Sequence, residues 1–226
     1  MGETTYRREP AMDVLARLDE TRSAINVLEH PFYQRWSAGE LSAGELSRYA
    51  GEYRHAVVAL AGASELAAEC ASDELRPGLR RHAEQEAAHV ALWEQFEWAM
   101  GEPEGSGQPE LEQTRACAQS WMAGDDLLER LAVLYAIEAS QPQISTTKLE
   151  GLAAHYGFSE EGPATEYFRV HESLDVEHAR QARELITQLM SEVADPEQQA
   201  DRMVRRASEA LRGNWLLLDG VEAAGA

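Results

Sequence analysis

The chain has 226 residues, 44% of them hydrophobic and 27% charged, with a formal net charge of −20. That length fits one domain or at most two, and that apolar share can bury a substantial core. The acid excess is spread along the chain without a basic patch, which excludes nucleic acid as a partner, and no run of about 18 apolar residues is present to span a membrane.

Ala and Leu are abundant and β-branched runs are nearly absent, so the elements read as helices. Residues 11–29 predict one amphipathic helix. His30-Pro31 interrupts it, because the residue before a proline is pushed out of the helical region. A short helix follows through Trp36. Ser42 with Glu45 forms a capping box for a helix running to about Cys70. Residues 73–101 predict the next helix, with Pro77 early enough to kink it and Gly101 ending it. Residues 102–108 (EPEGSGQ) are the clearest loop. A helix over 109–122 closes at Ala123-Gly124. Asp125 caps a further helix that carries Glu138, and Gln141-Pro142 breaks it. Helix resumes over 143–156 and ends at Tyr156-Gly157. Residues 162–192 and 196–219 complete the set, with Pro196 at a first turn. The residues from Ala223 to Ala226 are expected to fray. Seven or so helices with mostly short connections argue for one all-α bundle domain over residues 1–226, its core spanning about 11–220. No apolar heptad is sustained, which argues against a coiled coil.

MGETTYRREP has neither the apolar core of a secretory signal nor a myristoylation pattern. Two cysteines, Cys70 and Cys117, make no disulfide framework and read as small hydrophobes. A reducing cytoplasm is the expected compartment.

Two segments carry chemistry. His171, Asp175 and His178 fall at i, i+4 and i+7, which stacks them along one stripe of a helix. His82, Glu86 and His89 repeat that spacing. A carboxylate between two imidazoles is a poor core face and a good metal face. A lone Glu-x-x-His usually marks a solvated helix surface. Here two such triplets occur together with Glu138, an acid at the end of the apolar stretch from Leu131 to Ile137. Four imidazoles and three carboxylates suit iron or manganese better than zinc or calcium. Glu-x-x-His pairs with lone glutamates also supply the centres of carboxylate-bridged di-iron bundles. Three carboxylates against two divalent cations leave about +1, room for an anionic oxygen ligand.

The segments HPFYQRW (30–36), His89-x-x-Leu-Trp93, Glu138-x-x-Gln-Pro, Lys148-x-x-Gly151-Leu, Tyr156-Gly157 and Tyr167-Phe168-x-x-His171-x3-Asp175-x2-His178-Ala resemble the haem-oxygenase-like di-iron oxidases. The likeness is closest to the CADD family (Chlamydia protein associating with death domains), which makes para-aminobenzoate for folate, and it covers about residues 20–190. It implies a seven-helix haem-oxygenase-like bundle. It implies two iron ions (Fe/Fe or Fe/Mn) with O2 as co-substrate and an external reductant. His89, Glu138, His171, Asp175 and His178 match metal ligands. Where the CADD group has a further glutamate, this chain has His82. Glu86 instead matches the glutamate of the related alkene-forming fatty-acid decarboxylases, so Glu86 is taken as the sixth ligand and His82 as a seventh candidate or a supporting partner. Tyr33, Tyr167 and Lys148 match the positions through which CADD-type synthases draw the aromatic ring from one of their own tyrosines and the nitrogen from a lysine. Ile137 departs from that group, which has tyrosine before the bridging glutamate. Read without the resemblance, Tyr33 and Tyr167 are ordinary core tyrosines and Lys148 a solvated helix residue. Thiaminase II relatives on this fold use a cysteine on the helix that here carries Glu138, and neither Cys70 nor Cys117 is near it.

Three functions follow as expectations. The first is a self-sacrificing para-aminobenzoate synthase. The second is an oxygenase acting on an external amine, amino acid or fatty acid. The third is a non-enzymatic helical interaction module. Expected partners are a small-molecule substrate or the internal tyrosine, with a homodimer as an open assembly and with neither nucleic acid nor membrane.

Overall fold

Local punctuation sets the helix boundaries. In the computed structural model, which describes residues 10–101 and 111–225, α1 covers Pro10–Ala24, α2 Pro31–Ala38, α3 Ala43–Cys70, α4 Arg76–Ala99 and α5 Glu112–Met122. The chain continues through α6 (Leu127–Glu138), α7 (Gln141–His155), α8 (Glu166–Met190) and α9 (Pro196–Gly225). No strand occurs among the described residues. Eight of these helices run 11 residues or more, close to the expected seven or so, and the break expected at Gln141-Pro142 falls at Ala139 and Ser140, with Gln141 and Pro142 in the first turn of α7. The 102–108 loop and the first residues of the helix expected from 109 lie outside the described residues.

Several boundaries differ from the sequence reading, each for a local reason. The first helix stops at Ala24 rather than 29: the Asn26 side chain accepts from the Leu28 amide at 3.1 Å and starts a 3-10 turn over Val27–Glu29. Pro77 does not kink α4. It sits in the first turn, where no intrahelical amide bond is lost. Asp126, not Asp125, caps α6, accepting from the Glu129 amide at 2.9 Å. The C-terminal residues do not fray before Gly225. Leu217, Leu218 and Val221 are buried, Arg35 pairs with Glu222 at 2.8 Å, and these contacts hold the tail of α9 against α2. The Ser42–Glu45 capping box is present as expected.

The interior divides into two clusters. One is aliphatic, with Leu18, Leu131, Ile186, Met190 and Met203 from α1, α6, α8 and α9. The other is rich in rings, with Phe32, Tyr33, Trp36, Tyr49, Tyr53, Trp93, Trp121, Tyr167 and Phe168. Gly151 on α7 makes part of this second cluster: a Cβ there would come within 2.5 Å of Trp36 Nε1, so only glycine lets α2 approach that closely.

Candidate metal centre

Helices α4, α6 and α8 turn both triplets and Glu138 to one place in the bundle. The His82 and His178 rings lie 4.2 Å apart, and the His89 and His171 rings 4.4 Å apart, so the two stripes face each other along their length. Ligand atoms of His82, Glu86, Glu138 and His178 lie within 4.8 Å of one another, as do those of Glu86, His89 and His171. Glu86 belongs to both groups. Asp175 stands beside the first group, with Oδ1 3.4 Å from His178 Nδ1.

These atoms converge without bonding to each other. His82 Nε2 is 2.8 Å from Glu138 Oε1, and Glu86 Oε1 is 3.3 Å from His89 Nδ1 and 3.5 Å from His178 Nδ1. All five atoms are buried and without a well-directed hydrogen bond, as are His171 Nε2 and both Asp175 oxygens. Buried polar groups are normally satisfied, so a set of orphaned lone pairs aimed at shared points is the arrangement a cation completes. The donors are nitrogen and oxygen without thiolate, which fits iron or manganese.

The far sides of two imidazoles are anchored. His171 Nδ1 meets the Tyr167 carbonyl at 2.7 Å and His178 Nε2 meets the Gln85 side-chain oxygen at 3.3 Å. Each acceptor takes the ring proton and leaves the inward nitrogen free to ligate. Burial pushes the Asp175 carboxyl up to about 7 and the His171 imidazole down to about 4. Burial also disfavours a charged His82, but the Glu138, Glu86 and Asp175 charges outweigh it and raise that imidazole to about 9. A bound cation reverses these tendencies for ligands, favouring ionised carboxylates and neutral imidazoles.

Next to this cluster lies a cage of rings around Lys148. Its side chain is buried, and Nζ sits 4.7 Å from the Tyr49 ring centroid, 4.9 Å from those of Tyr53 and Phe168, and 5.4 Å from those of Tyr33 and Trp93. Nζ donates to the Tyr49 hydroxyl, which in turn lies 3.4 Å from the Tyr33 hydroxyl. Burial holds the Lys148 amine well below the usual lysine range and pushes the Tyr33 phenol up. Tyr167 joins cage to cluster. Its ring stacks on His171 at 4.0 Å and meets Trp93 edge-on at 4.8 Å. Tyr33, Lys148 and Tyr167, far apart in sequence, therefore share one buried region with the metal-type cluster.

Gln85 and Tyr49 were not singled out from the sequence. Gln85 is an exposed residue next to Glu86 and carries no signal by itself. Tyr49 and Tyr53 on α3 have the i, i+4 spacing of any buried helix face, which conceals their role around Lys148.

A family model described as iron-containing redox enzyme matches residues 82–215, the span that holds all the cluster residues. The 4-aminobenzoate synthase of Chlamydia muridarum is 33% identical over 210 residues, covering 88% of this chain and 89% of that protein. The 4-aminobenzoate synthase of Nitrosomonas europaea is 31% identical over 228 residues, covering 91% and 89%. Among solved structures, a TenA homologue from Pseudomonas syringae pv. tomato superimposes with a TM-score of 0.78 at 18% identity, over 95% of this chain and 93% of that one. A domain with a heme oxygenase-like fold from Shewanella denitrificans gives 0.76 at 18% identity, over 94% and 92%. These two likenesses concern the fold alone.

Proposed function

The chain belongs to the haem-oxygenase-like family of iron-containing redox enzymes, and from that premise we propose that it is a di-iron (Fe/Fe or Fe/Mn) oxidase that makes para-aminobenzoate from its own Tyr33, with Lys148 as the source of nitrogen. The curated relatives named 4-aminobenzoate synthase support the product. The observation that carries the reading is the buried Lys148 amine, 5.4 Å from the Tyr33 ring and walled in by aromatic side chains that continue to the cluster.

Glu86, His89 and His171 would hold one metal, and Glu138, Asp175 and His178 the other, with Glu86 shared. Bound iron supplies oxidising power from O2, with electrons from an external reductant. The chain's own residues do the rest. Tyr167 fixes His171 through its carbonyl and covers the ring face, which limits water at that side. Burial disfavours the charged form of Lys148, which makes its nitrogen lone pair more available for bond formation. Tyr49 orients both reacting groups, accepting from Lys148 Nζ and lying within reach of the Tyr33 hydroxyl. The cage keeps Tyr33 protonated and out of solvent until it is oxidised.

Protein loaded with iron under reductant and O2 should form para-aminobenzoate in a single turnover, and the peptide containing residue 33 should lose mass. Tyr33→Phe should abolish product with iron still bound, and Lys148→Arg should do the same, since arginine does not readily give up its nitrogen. Repeated turnover with an intact Tyr33 peptide would overturn the self-sacrificing reading. That result would favour the second one, oxidation of an external amine, amino acid or fatty acid. A cavity of about 400 Å³ that reaches His82, Glu138 and His178 supports this second reading. A non-enzymatic interaction module has little basis in a chain of this family.

A further inference from the structure

We propose that His82 is a metal ligand that closes a solvent-facing port, through which the metal at the Glu138–His178 position loads and leaves. This rests on the di-iron reading above and adds a direction to it.

The two ends of the cluster differ. The His89–His171 end abuts Tyr167 and, behind it, Trp93, both buried. The Glu138–His178 end forms the floor of the 400 Å³ cavity between α4, α6 and α8. A divalent ion with six waters, at about 30 Å³ per water, fits that volume. The cavity's lining carries Glu74, Glu184, Gln181 and Gln188, which attract and solvate a cation, against a single opposing charge on Arg81. His82 stands where cavity and cluster meet. Its side chain is 12% exposed, against 1% for Glu138 and 3% for Glu86 and His178. Its Nε2 is aimed at Glu138 Oε1 and Glu86 Oε1, at 2.8 and 3.8 Å, without hydrogen-bond geometry to either. A side chain that only supported Glu138 would donate to it along a straight N–H···O line. His82 instead points Nε2 to the space that Glu86, Glu138 and His178 also face. Its partial exposure makes it the ligand best able to swing outward. An imidazole there also completes the group without adding negative charge.

The test counts and times iron rather than product. Full-length wild type, His82→Ala and Gly78→Trp are loaded anaerobically with ferrous iron, and release to a ferrous chelator is followed by absorbance. Wild type should hold two irons per chain. His82→Ala should keep one at the wild-type release rate and lose the other at least about tenfold faster, and added imidazole should slow that loss. Gly78 lines the same cavity one helical turn before His82 and is not itself a ligand, and a Cβ there meets only the Arg81 guanidinium at 3.9 Å, so a large side chain can be placed in the port. Gly78→Trp should hold both irons and release one several-fold more slowly. Wild-type release kinetics for both irons in His82→Ala would overturn the assignment. If that variant fails to fold, unchanged release in Gly78→Trp overturns the port. A wild type that binds no iron sinks the di-iron reading itself, a result distinct from either.

Discussion

Two neighbouring regions of this bundle bury charged side chains on opposite terms. Around Lys148 the ionisable group is turned towards its neutral form: burial disfavours its charge, Tyr49 takes its hydrogen bond, and rings fill the space around it. In the cluster of α4, α6 and α8 the ionisable groups are left unsatisfied, their lone pairs aimed inward. The first region gives its amine a protein partner. The second has the arrangement that a cation would complete. The difference separates a buried amine with a protein partner from buried acids and imidazoles without one, although both are equally buried.

The sharpest way to break that comparison is to replace the residue common to both ligand groups. Glu86→Leu should remove iron from both positions and reduce product below detection. The metal-free variant should nevertheless melt no lower than metal-free wild type, and stabilisation by about 1–2 kcal/mol is reasonable for an apolar group replacing an unpaired buried carboxylate. Metal analysis and thermal melts check the two halves separately. A large drop in metal-free stability would make Glu86 a structural residue and merge the two regions into one kind.

Trp93→Ala tests the opposite side. Trp93 is fully buried, donates to the Ala50 carbonyl at 2.8 Å and packs on Tyr53, Phe96 and Tyr167. Its loss should cost about 3–5 kcal/mol by denaturant unfolding, while the ligand residues remain able to bind iron at low temperature.

These contrasts explain what could be read in advance. The two facing stripes were legible because i, i+4, i+7 spacing is a property of the helix itself and survives any packing. Glu138 was legible as an acid closing an apolar run. The cage was not, because the meeting of Tyr33 on α2, Tyr49 on α3, Trp93 on α4 and Lys148 on α7 is decided by how helices cross. Sequence alone, without the family likeness, left Lys148 a solvated lysine; its 2% exposure depends on Gly151 admitting Trp36. Helix ends failed where one hydrogen bond decided them, as at Asn26 and Asp126. The end of α9 failed because tertiary contacts, invisible locally, pin it.

Lys148→Met measures the strain that the cage tolerates. The unfolded chain holds a proton on Lys148 up to about pH 10.4, whereas the folded chain releases it at lower pH. Between those two values the unfolded state binds more protons, so wild-type stability rises with pH through that window. Methionine fills a similar space without the amine. It should stabilise the fold by about 1–3 kcal/mol at pH 7 and flatten the rise towards high pH. Chemical denaturation at several pH values gives both. An unchanged slope would mean that Lys148 is not the neutral, desolvated amine on which the proposed chemistry depends.

Gln85→Leu should have the smallest effect, and it bears on the cluster alone. Gln85 is exposed, so its loss should leave stability within about 0.5 kcal/mol of wild type. Its oxygen lies 3.3 Å from His178 Nε2, on the side away from Glu86 and Asp175. Without that acceptor the ring proton is free to sit on either nitrogen, and the tautomer with Nδ1 protonated is unable to ligate. Iron affinity at the Glu138–His178 position should fall about tenfold, or about 1.4 kcal/mol. Gln85→Glu, which keeps an acceptor, should restore it. Competition titration against a ferrous chelator resolves a change of that size. If Gln85→Leu binds iron as wild type does, the His178 tautomer is set within the cluster itself, and the orphaned nitrogen is not prepared from outside.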